Sequence, residues 1–276
     1  MDYRFFAFKS SQIHYSISGH GEKKIVCLHG YGESLYTYGF LQTDQSLQSY
    51  TVIAIDLPYH GKTEWRESEA LSTAELWTIL EGIAALHAPG KSTLNQPWTL
   101  AGYSMGGRIA LSLFQHKPGQ VEKMILMAPD GLKVNFWYWL ATQTRGGNRF
   151  FAFTMKHPQW FFGLVKLMHK TGLVNASIFK FTNYYISDPV VRQQLYDRWT
   201  TLHKFKPDLN KIKKEINKHH TKVRLLYGKH DRIILSSVGK KFCKGIETHC
   251  QLTEIHAGHQ VLHEKHAKEI LPAFRQ

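Results

Sequence analysis

The chain has 276 residues, three cysteines and a formal net charge of +14. A chain of this length buries about three quarters of the surface that its unfolded form exposes, so one large domain with an insertion needs no disulfide or metal staple. No stretch approaches the ~20 apolar residues of a membrane-spanning helix. Met1–Lys9 alternates aromatic with charged residues and lacks the continuous apolar run of a signal peptide. Cys27, Cys243 and Cys250 follow no zinc spacing and imply no disulfide framework, which fits a reducing compartment and a cytoplasmic location.

The strands expected in chain order are Ile13–Ser18, Lys24–Leu28, Tyr50–Ile55, Trp98–Ala101, Lys123–Met127, Val223–Tyr227 and Gln251–Ile255. Helical patterns lie between and after them, at Leu35–Leu47, Thr73–His87, Met105–His116, Ser236–Gly245 and Leu262–Phe274. Short apolar runs alternating with helices predict an α/β fold with a mainly parallel sheet. Ser72 and Glu75, three residues apart, form the pattern of a capping box before the second helix.

Residues 132–222 break this rhythm, so the expected organisation is a core of 1–131 with 223–276 and an inserted helical cap, or lid, over the active site. Lys133–Lys206 carries 17 of the 36 aromatic residues, and its eleven Lys and Arg stand against Asp188 and Asp197, a net of +9. Pro207–Lys222 adds a further +3. These basic residues form no recognised nucleic-acid motif, and no nucleic-acid partner is expected. An anionic surface or an anionic substrate suits them better. Most of the aromatics are expected to pack the insertion against the main domain, and a minority to line a pocket.

Gly102-Tyr103-Ser104-Met105-Gly106 carries the most chemistry. It is a Gly-x-Ser-x-Gly pentapeptide between an apolar strand and a helix, the context of a nucleophile elbow. So sharp a turn forces the central residue into a strained conformation and presents its side chain above the sheet. Glycines on either side remove side chains that would collide.

Four motifs in register then resemble the α/β-hydrolase superfamily over nearly the whole chain. Leu28-His29-Gly30-Tyr31-Gly32 follows one strand, Asp56-Leu57-Pro58-Tyr59-His60-Gly61-Lys62-Thr63 the next, and the elbow comes third. Tyr227-Gly228-Lys229-His230-Asp231-Arg232-Ile233 and Ala257-Gly258-His259 follow the last two strands. The resemblance implies the chain order Ser, Asp, His, with Ser104 as nucleophile, His259 as base and Asp231 as its orienting acid. It implies an oxyanion hole from the backbone N–H groups of Tyr31 and Met105. Asp130, after the Lys123–Met127 strand, is a rival for the acid, since some members keep it there. Asp56 and His60 are expected to hold their own loop.

Serine at the elbow excludes the branches with an aspartate nucleophile, the haloalkane dehalogenases and epoxide hydrolases. A carboxylesterase or lipase-like enzyme acting on an ester with an apolar acyl part is the leading expectation. Alternatives on the same triad are a carbon–carbon bond hydrolase and a lyase resembling the pyruvate-eliminating synthase of the menaquinone pathway, whose anion-contacting arginine matches Arg108. A non-catalytic binding protein on the same fold is a further alternative. Tyr103 and Arg108 are candidate substrate contacts, with a salt bridge as the plainer role of Arg108. No cofactor, no metal and no obligate protein partner is expected; His256, His259, His263 and His266 do not fit His-Glu-x-x-His. The basic, aromatic cap adds an anionic membrane surface as an expected partner.

Overall fold

In the computed structural model, residues 1–87, 96–133, 136–170 and 186–275 are described, of which 168–170 only by their backbone. Part of the expected insertion, with Phe179, Phe181, Tyr184 and Tyr185, lies outside the described residues.

Eight strands form one sheet in the order β1-β2-β4-β3-β5-β6-β7-β8. They are β1 Asp2–Phe8, β2 Ser11–Ser18, β3 Lys24–Leu28, β4 Thr51–Ile55, β5 Trp98–Tyr103, β6 Val121–Met127, β7 Lys222–Gly228 and β8 Cys250–Ile255. The β1–β2 and β2–β4 pairs are antiparallel, and every pair from β4 to β8 is parallel. This is the α/β-hydrolase fold that the motifs implied. The central strands β3, β4 and β5 are buried along their whole length. Continuous apolar runs mark strands covered on both faces, whereas an edge strand alternates. Strand β1 is the outer edge, where Asp2–Phe5 and Ala7 are exposed and only Phe8 is buried, and it pairs with β2 from Asp2↔Ile17 to Phe8↔Ser11. No strand is expected there from the sequence, and the aromatics that alternate with Asp2 and Arg4, Tyr3 and Phe5, stand exposed on this edge.

The helices of the core are α1 Gly39–Gln42, α2 Thr73–Leu86 and α3 Met105–His116. The Leu35–Leu47 pattern is not one helix: it divides into a 3₁₀ turn Leu35–Tyr38, α1, and a second 3₁₀ turn Gln45–Leu47. Asp44 ends the run by accepting a hydrogen bond from the Ser46 N–H, a local cap that competes with helix continuation. Before α2 the capping box is complete: Ser72 Oγ accepts from Glu75 N–H at 3.2 Å, and Ser72 N–H donates to Glu75 Oε2 at 2.9 Å. Burial opposes ionisation of Glu75, but hydrogen bonds from Lys9 and Ser72 hold its carboxyl at about 2. Ser72→Ala is expected to lower stability by about 1 kcal/mol in urea unfolding, with an unchanged m-value.

Two compact units divide the chain, Met1–Lys133 with Lys204–Gln276, and Val134–His203. In the second, the described residues are helical: α4 Phe136–Gln143, α5 Arg145–Lys156, α6 Gln159–Lys170 and α7 Pro189–Thr201. The Phe151 ring meets those of Tyr196 and Trp199 at a tilt, each pair at 5.4 Å, and Tyr138 meets Trp199 at 5.1 Å. These half-buried rings pack its helices together, while Met155, Val165, Ile186 and Leu202 are its buried apolar residues among those described. The unit is shorter than residues 132–222. Helix α8 Leu209–His219 belongs to the first unit, where Ile212 and Ile216, one turn apart, are buried and the helix packs on α3. Its lysines lie off that buried face; the lack of strand–helix alternation between residues 132 and 222 is what grouped it with the insertion.

The chain closes with α9 Ser236–Cys243 and α10 Ala267–Arg275, the latter preceded by a 3₁₀ turn Glu264–His266. Cys243 at the end of α9 and Cys250 at the start of β8 form a disulfide, their Cα atoms 5.5 Å apart. This corrects the reading that the cysteines imply no bridge. The connection reverses at Gly245, with φ +86°, and buries Ile246, which brings two cysteines seven residues apart face to face. The cysteine count therefore gives no support for a reducing compartment. Cys27 is buried in β3, and burial pushes its thiol pKa up. Among the described residues no helix is long and apolar enough to cross a membrane.

Candidate active site

Ser104 lies between β5 and α3 with φ 49° and ψ −114°, a strained conformation for a residue with a side chain. The neighbouring glycines are dictated by contact: a Cβ on Gly106 would overlap the carbonyl oxygen of Leu28, and one on Gly102 that of Gly106. The turn is held from outside as well. Ser104 N–H donates to Met127 O at 2.9 Å, and Ser104 O accepts from Gly107 N–H at 2.9 Å and Asp130 N–H at 2.8 Å.

Asp231 follows β7 in a tight turn whose N–H donates to Gly228 O at 3.1 Å. Its side chain is fully buried. Oδ1 accepts from the N–H groups of Ile233 at 2.7 Å and Ile234 at 3.0 Å, which leaves Oδ2 for His259 Nδ1 at 2.8 Å. His259 follows β8, and its Nε2 lies 3.1 Å from Ser104 Oγ. A carboxylate only accepts, so this network places the imidazole proton on Nδ1 and turns the Nε2 lone pair to the serine hydroxyl. Three parallel strands bring together residues separated by 155 and 28 positions along the chain.

Asp130 does not reach this chain of hydrogen bonds. Its Oδ2 pairs with Arg108 Nη1 at 3.3 Å, and its Oδ1 accepts from Gly131 N–H at 2.8 Å. Tyr103 and Arg108, the candidate substrate contacts, are both buried and engaged within the fold. The Tyr103 hydroxyl donates to the carbonyl of His259 at 3.2 Å and so ties β5 to the loop that carries the histidine. Arg108 takes the salt-bridge role.

The loop after β3 is tied down by its histidine. The buried His29 ring contacts Gly30 O through Nδ1 at 2.8 Å and accepts from Leu57 N–H through Nε2 at 3.0 Å. Met105 opens α3, so its N–H is one of the first-turn donors that no intrahelical carbonyl satisfies. Asp56 and His60 are structural: Asp56 accepts from Leu35 N–H at 2.7 Å and Lys62 N–H at 2.9 Å, and His60 Nδ1 meets Pro58 O at 2.8 Å.

Two titratable residues near these loops escaped sequence reading. His14 on β2 meets Asp56 at 2.6 Å, both side chains almost fully buried; its only sequence signal was a polar residue inside an apolar strand. Glu33 accepts from Gly30 N–H at 3.3 Å. Burial raises the Glu33 carboxyl pKa, while the Gly30 hydrogen bond and His259 pull it the other way. Its folded pKa exceeds its unfolded one, so the folded state binds more protons in the window between them, and stability falls as pH rises through it. Glu33→Gln is therefore expected to flatten the pH dependence of Tm above the acid range and to raise Tm at neutral pH. An unchanged pH profile would remove this assignment.

His256, His263 and His266 go to separate places from His259. His256 Nε2 lies 3.1 Å from His230 Nε2, His263 caps the Glu264–His266 turn, and His266 is buried.

The serine aminopeptidase S33 family model matches residues 19–266. The chain belongs to that family. As an S33-family protein it is 23% identical over 253 residues to the uncharacterised hydrolase YugF of Bacillus subtilis, a match covering 89% of this chain and 86% of that one. It is also 28% identical over 134 residues to the dihydrolipoyllysine-residue acetyltransferase component of the acetoin cleaving system of Cupriavidus necator. That match covers 47% of this chain and only 32% of the relative. Among solved structures, a thermophilic esterase from Thermogutta terrifontis superposes with a TM-score of 0.65 at 15% identity, covering 100% of this chain and 97% of that one. At such identity the likeness is one of fold. Family and fold together identify an enzyme of the α/β-hydrolase class.

Proposed function

We propose that this S33-family protein is a serine hydrolase that cleaves a carboxylic ester with an apolar acyl part through an acyl-enzyme. The observation that carries the reading is the continuous relay Asp231–His259–Ser104 at 2.8 and 3.1 Å. A serine hydroxyl is a weak nucleophile at neutral pH, and a base must take its proton as the new bond forms. His259 Nε2 is in hydrogen-bond reach of that proton. Asp231, held by two backbone N–H groups, fixes the tautomer and stabilises the imidazolium. The tetrahedral oxyanion would be met by the N–H groups of Met105 and Tyr31, each such donor being worth ~3 kcal/mol of barrier. His259 then returns the proton to the departing alcohol, and water repeats the sequence to release the acid.

The apolar acyl part is supported by composition, 17 aromatic residues within Lys133–Lys206. The lyase reading loses its main support, because Arg108 is paired with Asp130 at 3.3 Å and buried. The non-catalytic reading would leave the relay without a use. A fluorophosphonate probe is expected to label the wild-type protein and not Ser104→Ala; no labelling of the wild type would favour a binding protein. A screen of esters graded in acyl length, with an aminoacyl amide alongside, is expected to peak at the longer chains. A peak at acetate would remove the apolar-acyl part of the proposal.

A further inference from the structure

The unit Val134–His203 exposes eight of the fifteen large hydrophobic side chains that stand in solvent among the described residues. Single exposed apolar side chains are ordinary, whereas a contiguous group of them marks an interaction surface. On α5 the inner face buries Thr154 and Met155, and the outer face presents Phe150 and Phe153. The Phe150 ring meets that of Trp160 at 5.1 Å, which carries the apolar stripe across to α6. There Leu164 and Leu167 follow Trp160 at spacings of four and seven, on the same side of the helix, and both are exposed.

The charge around this stripe has one sign. Arg145, Arg149, Lys156 and Lys166 are exposed, and residues 145–170 contain no Asp or Glu. The unit's two carboxylates sit on the segment of α7 and are occupied there. Asp188 caps that helix through the N–H groups of Val190 and Val191, and Asp197 accepts from Gln193 at 2.9 Å.

We propose that the α5–α6 pair docks on an anionic lipid bilayer, with Phe150, Phe153, Leu164 and Leu167 entering the boundary between headgroups and acyl chains and the four cations at phosphate level. This goes beyond the hydrolase reading and does not depend on it. Aromatic and aliphatic side chains together gain by leaving water for acyl chains, and basic residues flanking them are drawn to anionic headgroups. The aliphatic members separate a bilayer from a nucleic acid, since leucine offers no face on which a base can stack. Each basic side chain near such a surface strengthens partitioning by about fivefold at physiological salt.

The test is sedimentation of the full chain with phosphatidylcholine vesicles, with and without phosphatidylglycerol, at low and high salt. Binding is expected only with phosphatidylglycerol and is expected to weaken with salt. Phe150→Ser with Phe153→Ser, and separately Arg149→Gln with Lys156→Gln, should each lower the partition coefficient about tenfold or more, with circular dichroism and thermal unfolding unchanged. Should a variant unfold, Leu164→Ser with Leu167→Ser replaces it. No binding to anionic vesicles, equal binding to neutral ones, or undiminished binding by folded variants would overturn the proposal. So would a fluorescent RNA that binds more tightly than the vesicles and displaces them. Because no turnover is read, failure here leaves the labelling of Ser104 untouched.

Discussion

Ser104→Ala and His259→Ala are each expected to lower kcat on an ester substrate by ~10⁴–10⁶-fold, and the double variant to lose little more. The non-additivity follows from geometry. In the proposed reaction Ser104 Oγ and His259 Nε2, 3.1 Å apart, act as one proton-transfer unit, so removing either partner abolishes the same step. Stability should move by no more than about 0.5 kcal/mol for the serine variant. The strain at Ser104 resides in φ 49°, which alanine inherits, and its hydroxyl is not part of the hydrogen bonding that holds the turn. Steady-state kinetics beside urea unfolding check both halves. A Ser104→Ala enzyme that keeps even a hundredth of wild-type kcat would exclude it as nucleophile.

The second large effect separates two aspartates. Asp231→Asn is expected to cost ~10⁴-fold in kcat with the fold intact. An asparagine amide can donate to His259 Nδ1, which drives the ring proton to Nε2, where it faces Ser104 Oγ instead of accepting from it. Asp130→Asn should keep kcat within about tenfold, because Asp130 touches Arg108 and Gly131 and not His259. Its cost should appear as about 1 kcal/mol of stability, since it weakens the partner of a buried guanidinium. If Asp130→Asn were the inactivating change and Asp231→Asn the silent one, the relay drawn from the hydrogen bonds would be wrong.

Much of the core was legible because parallel strands buried on both faces write continuous apolar runs. Lys24–Leu28 and Thr51–Ile55 are read almost residue for residue from that signal. The capping box at Ser72 and Glu75 is equally local; the elbow is legible as a pentapeptide, although its Gly106 answers the Leu28 carbonyl on the neighbouring strand β3. Other elements depended on partners that an apolar pattern does not record. Strand β1 needed β2 to complete it, α8 needed α3 beneath Ile212 and Ile216, and the Cys243–Cys250 bridge needed a reversal at Gly245. Leu35–Leu47 failed differently: its apolar spacing was helical, but the Asp44 side chain offered the backbone a better local partner.

From its own order of residues the chain determined a parallel α/β sheet, an elbow with serine at its apex, and an acid and a histidine placed after the last two strands. Periodicity and turn chemistry are properties of neighbours, and neighbours are what a sequence records. Only the tertiary structure set the Asp231 carboxylate against His259 and that of Asp130 against Arg108, turned Tyr103 and Arg108 inward, and left Phe150, Phe153, Leu164 and Leu167 exposed. Each of those outcomes depends on which direction a side chain faces across several ångströms of folded space. That direction is set by packing between elements far apart along the chain.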